Sequence, residues 1–345
     1  MHRTREVLSS SYYALSGVQC QGRWFCSTIL MMLRLEIKLH LLKAGIHPHP
    51  GPVSLDIANP SSLDSKLDVL LRRNADYMAI TEHSIPSTQQ GSFHSRLNGT
   101  GCKAILSGLD PELAHHTGGV GLLHKGAFAA MPIQPFSPSC RSLMDSGRLG
   151  LFLIDIGRHL PLLIYIVYGW TGARTNARAA QRTNDIFKAI LDEIQFQSNF
   201  LFAVVGDFNA GAPELTYLQE LLDQHCVDIG ASQTFVGEHG AQPTCYAPNA
   251  AAGKGTRNDH FLSCFALLPY IQSFEIFWDR EILVHAILRV TFTGAERLPK
   301  RTLNWQPPSL YGTLRERFCI LHPQHLPSFD TAQAHVDWRI FLVPF

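Results

Sequence analysis

The chain has 345 residues, 46% of them hydrophobic and 17% charged, which provides for a sizeable core and excludes general disorder. Its formal net charge of +1 excludes a global electrostatic pull toward nucleic acid, so any such binding has to come from a local patch. The eight cysteines are scattered without a CxxC pair and read as buried, reduced thiols of a nuclear or cytoplasmic protein, not as a disulfide framework or a zinc site.

Residues 1–52 read as a poorly structured leader. It ends in GIHPHPGP, Gly45 to Pro52, where prolines and glycines stop any helix or central strand. VSLDIA predicts a strand over Val53 to Ala58. SSLDSKLDVLLRR predicts a helix, with Ser61 and Asp64 as a capping box and Leu63, Leu67, Leu70 and Leu71 on one face. ADYMAITEHS predicts a second strand ending at Glu82, so the opening is β–α–β, the start of an α/β layered domain. GGVGLLHK, Gly118 to Lys125, reads as a strand entered through a glycine turn. The stretch from Leu149 to Trp170 is very apolar, but Asp155, Arg158 and His159 interrupt it. It predicts two buried strands joined near Gly157 and no membrane span.

Asn176 to Gln195 predicts an amphipathic helix carrying Ala179, Ile186, Ile190, Leu191 and Ile194 on one side. FLFAVVGDFNA is a continuous apolar strand, as expected when both faces are covered. Pro213 to Asp223 predicts a helix with proline in its first turn. NDHFLSC and HAILRVTF, the latter opening at His285, predict the last strands. Residues 294–345 read as a proline- and arginine-rich linker and a tail too short for a domain of its own. This leaves one domain over residues 53–293.

Polar residues gather where the apolar runs end: Asn59, Glu82, Tyr168, Asp207 with Asn209, Asp259 and His285. In a layered sheet such strand ends share a rim, where side chains from distant sequence converge. Asp207 and Asn209 straddle Phe208, so a rigid strand end sets both on the same side. A carboxylate there can manage a proton, and a carboxamide can hold a ligand oxygen through a neutral donor.

Taken in order, IANPSSL, AITEHS, GGVGLLHK, YGW, VVGDFNA, PTCY with Thr244, RNDHFL and VHAIL resemble the endonuclease/exonuclease/phosphatase superfamily, which includes DNase I and apurinic endonucleases. The resemblance implies an α/β fold, a four-layered sandwich of two packed mixed sheets flanked by helices. It implies a phosphodiester or phosphomonoester hydrolase working with Mg²⁺, or Mn²⁺ in its place. Carried over by position, Glu82 is the metal ligand and Asn59 its neighbour; Asp207 handles the proton of water or leaving group. Asn209 and Tyr168 position the phosphate, and His285 paired with Asp259 contacts the scissile phosphate. A sparse protein ligand set suits magnesium, which keeps waters and phosphate oxygens. Three positions depart from the family: Val284 stands where an aspartate precedes the histidine, Thr81 where a glutamine is usual, and His260 where an aromatic is common.

The leader motif LLKAGIHPHPGP resembles the stretch that precedes this nuclease domain in non-LTR retrotransposon polyproteins. That points to a retrotransposon-derived, DNA-nicking endonuclease without a reverse transcriptase, since no ADD-type polymerase motif is present. The Asn-Pro-Gly-Pro ending of skipping peptides is His49-Pro50-Gly51-Pro52 here, so leader and nuclease are expected to stay joined. Duplex DNA is the expected partner, with Arg141, Arg148, Arg174, Arg178, Arg182 and Arg257 as candidate phosphate contacts. No membrane partner is expected. Two other readings stand beside this one: a catalytically impaired remnant of the same domain, for which Val284 argues, and an inositol-phosphate or phospholipid phosphatase of the same superfamily.

Overall fold

The computed structural model describes residues 51–111, 118–157, 160–197, 200–237, 241–246 and 254–293. The leader to residue 50 and the tail from 294 lie outside the described residues. In chain order the apolar and amphipathic runs become β1 (Val53–Ala58), α1 (Leu63–Arg72), β2 (Tyr77–Thr81), α2 (Ser87–Leu97), β3 (Cys102–Leu106), β4 (Val120–Lys125) and β5 (Ala130–Pro132). Then come α3 (Pro138–Asp145), β6 (Leu149–Asp155), β7 (Pro161–Tyr168), α4 (Ala177–Phe196), β8 (Leu201–Asp207), α5 (Thr216–Gln224) and β9 (Cys226–Asp228). A one-turn α6 (Gln233–Val236) precedes β10 (Asp259–Cys264) and the hairpin of β11 (Ile271–Asp279) and β12 (Ile282–Phe292).

The strands form two six-stranded sheets, ordered β11-β12-β1-β2-β4-β3 and β5-β6-β7-β8-β10-β9. Each is mixed. One central pair is parallel in each, β1 with β2 and β7 with β8, and the other pairings are antiparallel. The faces turned toward each other make the main core, in which Leu55, Ile57, Tyr77 and Ala79 of the first sheet share a cluster with Leu151, Ile164 and Val205 of the second. Leucine, isoleucine and valine side chains buried this fully stabilise by roughly 1.5–3 kcal/mol each. The Tyr77 hydroxyl, 2.8 Å from Ala129 O, accepts from Asp155 N at 3.2 Å and so ties the two sheets together. Leu63, Leu67 and Leu70 of α1 and Phe93 and Leu97 of α2 cover the outer face of the first sheet. Ile186, Phe187 and Ile190 of α4 join the core on the second sheet. Helix, sheet, sheet, helix is the four-layered α/β sandwich.

Three local expectations are corrected. The capping box at Ser61 does not form. The cap is Ser62, without a side-chain bond, while Ser61 takes φ +56° and its N–H donates to Asn59 Oδ1 at 2.9 Å. The helix expected from Pro213 begins later, because Ala212–Glu214 is a 3₁₀ turn and α5 opens at Thr216. The last strand does not open at His285. It begins at Ile282, and the preceding β11 completes a hairpin whose half-exposed edge strand carries too weak an apolar pattern to stand out in the sequence.

Candidate active site

The site is assembled on the rim where the two sheets meet. In each sheet the parallel pair delivers its C-terminal ends and one antiparallel neighbour delivers its N-terminal end. The first sheet brings Asn59 after β1, Glu82 after β2 and His285 on β12. The second brings Tyr168 ending β7, Asp207 ending β8 and Asp259 opening β10. Strand register sets the second group directly, with Asp207 opposite both Tyr168 and Asp259.

The end of β8 explains GDFN. Gly206 has φ +128°, and a Cβ there would lie 2.2 Å from Val167 O, so only glycine lets β8 run this close to β7 just before Asp207. Asn209 takes φ +55°. Its N–H donates to Asp207 Oδ1 at 3.0 Å and its Nδ2 donates to Gly169 O at 3.2 Å, which leaves one carboxamide N–H for a ligand.

Two side chains reach the rim only because strand alternation is broken. Met78 and Ile80 of β2 pack outward under the helices, and alternation would send Glu82 after them. Glu82 instead takes φ +55°, which brings its carboxylate within the influence of Asn59 and Tyr168. Ile287 of β12 also packs outward, and His285 would follow it. Here the β11–β12 register shifts, with Phe277 opposite Ile287 but Asp279 opposite Ile282. The surplus residues of β12 pair with a separate segment: Tyr246 N donates to Val284 O at 2.9 Å and Ala286 N to Thr244 O at 2.7 Å. This bulge turns His285 toward the second sheet.

There His285 Nδ1 lies 2.9 Å from Asp259 Oδ2, and Nε2 lies 3.9 Å from Asp207 Oδ2. Thr244, fully buried, holds the start of β10 by accepting from Asp259 N at 2.9 Å through Oγ1. Burial alone would lower the His285 pKa, but the Asp259 carboxylate, by charge and hydrogen bond, raises it to about 12. The imidazole is therefore cationic at neutral pH. Asp207 is pushed up to about 7, by burial first and by the Asp259 charge second, against the opposing pull of His285 and Asn59. It can therefore release or accept a proton near neutrality. The Tyr168 phenol is raised, by burial and then by the Glu82 and Asp207 charges, so it stays a neutral donor.

Asn59 Nδ2 donates to Asp207 Oδ2 at 2.8 Å, and the same carboxamide helps lower the pKa of Glu82. Glu82 is only half-buried, yet burial is the largest influence on its pKa and raises it, while Asn59, His285, Tyr168 and Arg148 pull it down. A carboxylate disfavoured by burial at an open rim fits a bound divalent cation, which would restore its ionised form. Asp207, Asp259 and His285 also offer ligand atoms within 4.8 Å of one another. That cluster already contains its own cation in His285, so Glu82 is the better fit.

Arg148 is a structural member of the site that sequence reasoning placed elsewhere. It is not a phosphate contact: it is buried, pairs with Asp110 at 2.8 Å and donates to Gly169 O at 3.2 Å. Its guanidinium lies 4.8 Å from the Tyr168 ring centroid and 4.5 Å from that of Trp170. A lone arginine directly before the apolar run of β6 was the available signal. Arg257 is likewise engaged, by Asp228, at 2.5 and 2.6 Å. His260 takes the place of an aromatic by stacking on Phe208, with ring centroids 4.8 Å apart. Cys245, whose Sγ lies 3.9 Å from His285 Nε2, had no signal beyond its place in PTCY.

No protein-family model matches the chain, and no curated protein matches its sequence. Its fold is similar to that of a 3′-5′ exonuclease from Neisseria meningitidis, with a TM-score of 0.56 and 16% identity over 70% of this chain and 100% of the other. It is similar to an AP endonuclease from Archaeoglobus fulgidus, with a TM-score of 0.54 and 13% identity over 70% of this chain and 99% of the other. It is also similar to the catalytic domain of Xenopus laevis APE2, with a TM-score of 0.52 and 14% identity over 71% and 94%. The chain has the DNase I-like endonuclease/exonuclease/phosphatase fold.

Proposed function

We propose that the protein is a metal-dependent phosphodiester hydrolase that nicks DNA. The observation that carries this reading is one rim holding the His285–Asp259 pair, a second carboxylate poised near neutrality, and a separate carboxylate at Glu82 suited to a cation. Mg²⁺ or Mn²⁺ held by Glu82, with Asn59 beside it, would supply positive charge to a phosphate oxygen.

The remaining work falls to the chain itself. His285, cationic through Asp259, donates Nε2–H to a non-bridging oxygen and stabilises the charge that grows there. Asp207 takes the proton of the attacking water or returns one to the leaving oxygen. The spare N–H of Asn209 and the Tyr168 hydroxyl hold the phosphate in line. DNA is the proposed substrate because the comparable folds belong to nucleases, one of them a Neisseria 3′ phosphatase solved with a product DNA hairpin. Descent from a retrotransposon rests on the sequence: the leader motif, and its place before the nuclease domain and a tryptophan-bearing linker. Among the described residues no helix is long and apolar enough to cross a membrane. A nuclear or cytoplasmic location goes with the DNA reading.

The test is conversion of supercoiled plasmid to open circle with Mg²⁺ and with chelator, alongside phosphate release from inositol phosphates. Metal-dependent nicking whose 3′ end a polymerase extends is the expected result. Phosphate release without nicking assigns the phosphatase instead. Silence in both at every Mg²⁺ concentration supports the impaired remnant, the reading that Val284 favours.

A further inference from the structure

Beside His285 the surface turns apolar. Trp278 at the end of β11 is 45% exposed, Tyr246 38% and Leu283 78%. The Tyr246 and Trp278 rings are tilted against each other with centroids 5.0 Å apart. A Cβ at Gly255 would come within 2.6 Å of the Tyr246 ring, so that ring is seated on bare backbone and held in place. The patch is built into the device that positions the catalytic histidine. Tyr246 N donates to Val284 O, Cys245 bridges to His285 and touches its ring, and Leu283 lies within the same bulge. A rigid pair of rings open to solvent at the mouth of a hydrolytic site has no role in core packing.

We propose that Tyr246 and Trp278 form a stacking platform for an unpaired or extruded base next to the scissile phosphate, with Leu283 as an apolar wedge beside it. This rests on the nucleic-acid reading of the site above. The chemistry favours a nucleobase. Every base offers a π-face to an aromatic platform, and apolar side chains inserted at a base step are a common way to open a duplex. The charge around the rings agrees. Lys254 and Arg280 are exposed and have no ion-pair partner among the described residues, while Glu281 is engaged by Arg72 at 2.5 Å. Lys254 directly precedes the glycine that seats Tyr246, and Arg280 follows Trp278 by two residues, so both cations lie close along the chain to the platform.

The test uses the full chain with Asp207→Asn to prevent turnover. It is titrated in Mg²⁺ with a DNA duplex carrying one unpaired adenine and with the fully paired duplex. Trp278 is one of five tryptophans, so its signal is taken as the difference from Trp278→Phe. The expected result is quenching of Trp278 by the unpaired base, tighter binding of that duplex, and at least about tenfold weaker binding by Tyr246→Ala/Trp278→Ala. Trp278→Phe, which keeps a ring, should bind more tightly than Trp278→Ala. Equal affinities with a silent Trp278 would overturn the platform and leave the nuclease reading standing. Quenching in Asp207→Asn together with no nicking by the parent would uphold the platform and sink the hydrolase. A concentration-dependent dimer that the double variant abolishes would assign the surface to a second copy and overturn the proposal.

Discussion

His285 shows how neighbours set the charge of one residue. Its ordinary pKa lies near 6.5, and burial would depress it further; the Asp259 carboxylate at 2.9 Å reverses the sign and keeps the ring charged. His285→Ala should lower nicking by roughly 10²-fold or more, the loss expected for a donor aimed at transition-state charge. Near-parental turnover on plasmid would remove His285 from that role. Val284 is the residue beside it that departs from the family, half-buried in the β12 bulge and without a ligand oxygen. On the proposed reading, in which Glu82 holds Mg²⁺ with waters and the phosphate, weak Mg²⁺ binding and a raised Mg²⁺ requirement are expected. Val284→Asp should lower the midpoint of a Mg²⁺ titration of nicking. Coincident midpoints would show that position 284 does not face the ion.

At the scale of elements, β8 is the piece on which the site depends most. Gly206 has a backbone conformation that side chains resist, and its Cβ would strike the neighbouring strand. Gly206→Ala should therefore cost both the β7–β8 register and the placement of Asp207. The expected signature is a lower thermal midpoint together with loss of nicking; a parental midpoint would refute the close-approach argument. The same elements show why much of the site was legible in the sequence. β2, β6, β7 and β8 are buried along nearly their whole length, so they read as near-continuous apolar runs, and their polar ends stood out against them. The edges β3, β5, β9 and β11 are mostly half-buried or exposed and gave no such contrast. Helix α2 buries only Phe93 and Leu97. Neither Glu82's positive φ nor the bulge at His285 has a period to detect. Their residues could be named from resemblance, but the turning of each side chain inward is decided by tertiary pairing. Arg148 was misplaced for a related reason: nothing in a single sequence shows that Asp110 lies under the same rim.

For the whole molecule, the site spans two sheets that share one core, so its integrity depends on the stability of the entire sandwich. An ion cluster at the edge of the second sheet, where β9 meets β10, gives that stability a defined pH dependence. Asp228 is largely shielded from solvent, which alone would raise its pKa, yet the His260 hydrogen bond and the bidentate Arg257 outweigh that and hold it well below the usual carboxylate range. A depressed carboxylate stabilises the fold above its unfolded pKa of about 3.9, and that contribution is lost as pH falls below this value toward the folded one. Stability between pH 5 and pH 2 should therefore fall more steeply in the parent than in Asp228→Asn. The variant should be less stable at pH 7, where Arg257 loses its charged partner, and the two should converge in acid. Urea midpoints across that range decide it. The two stability curves should narrow their gap below pH 4; parallel curves would mean that Asp228 contributes no proton linkage and that the cluster holds the sheet edge by packing alone.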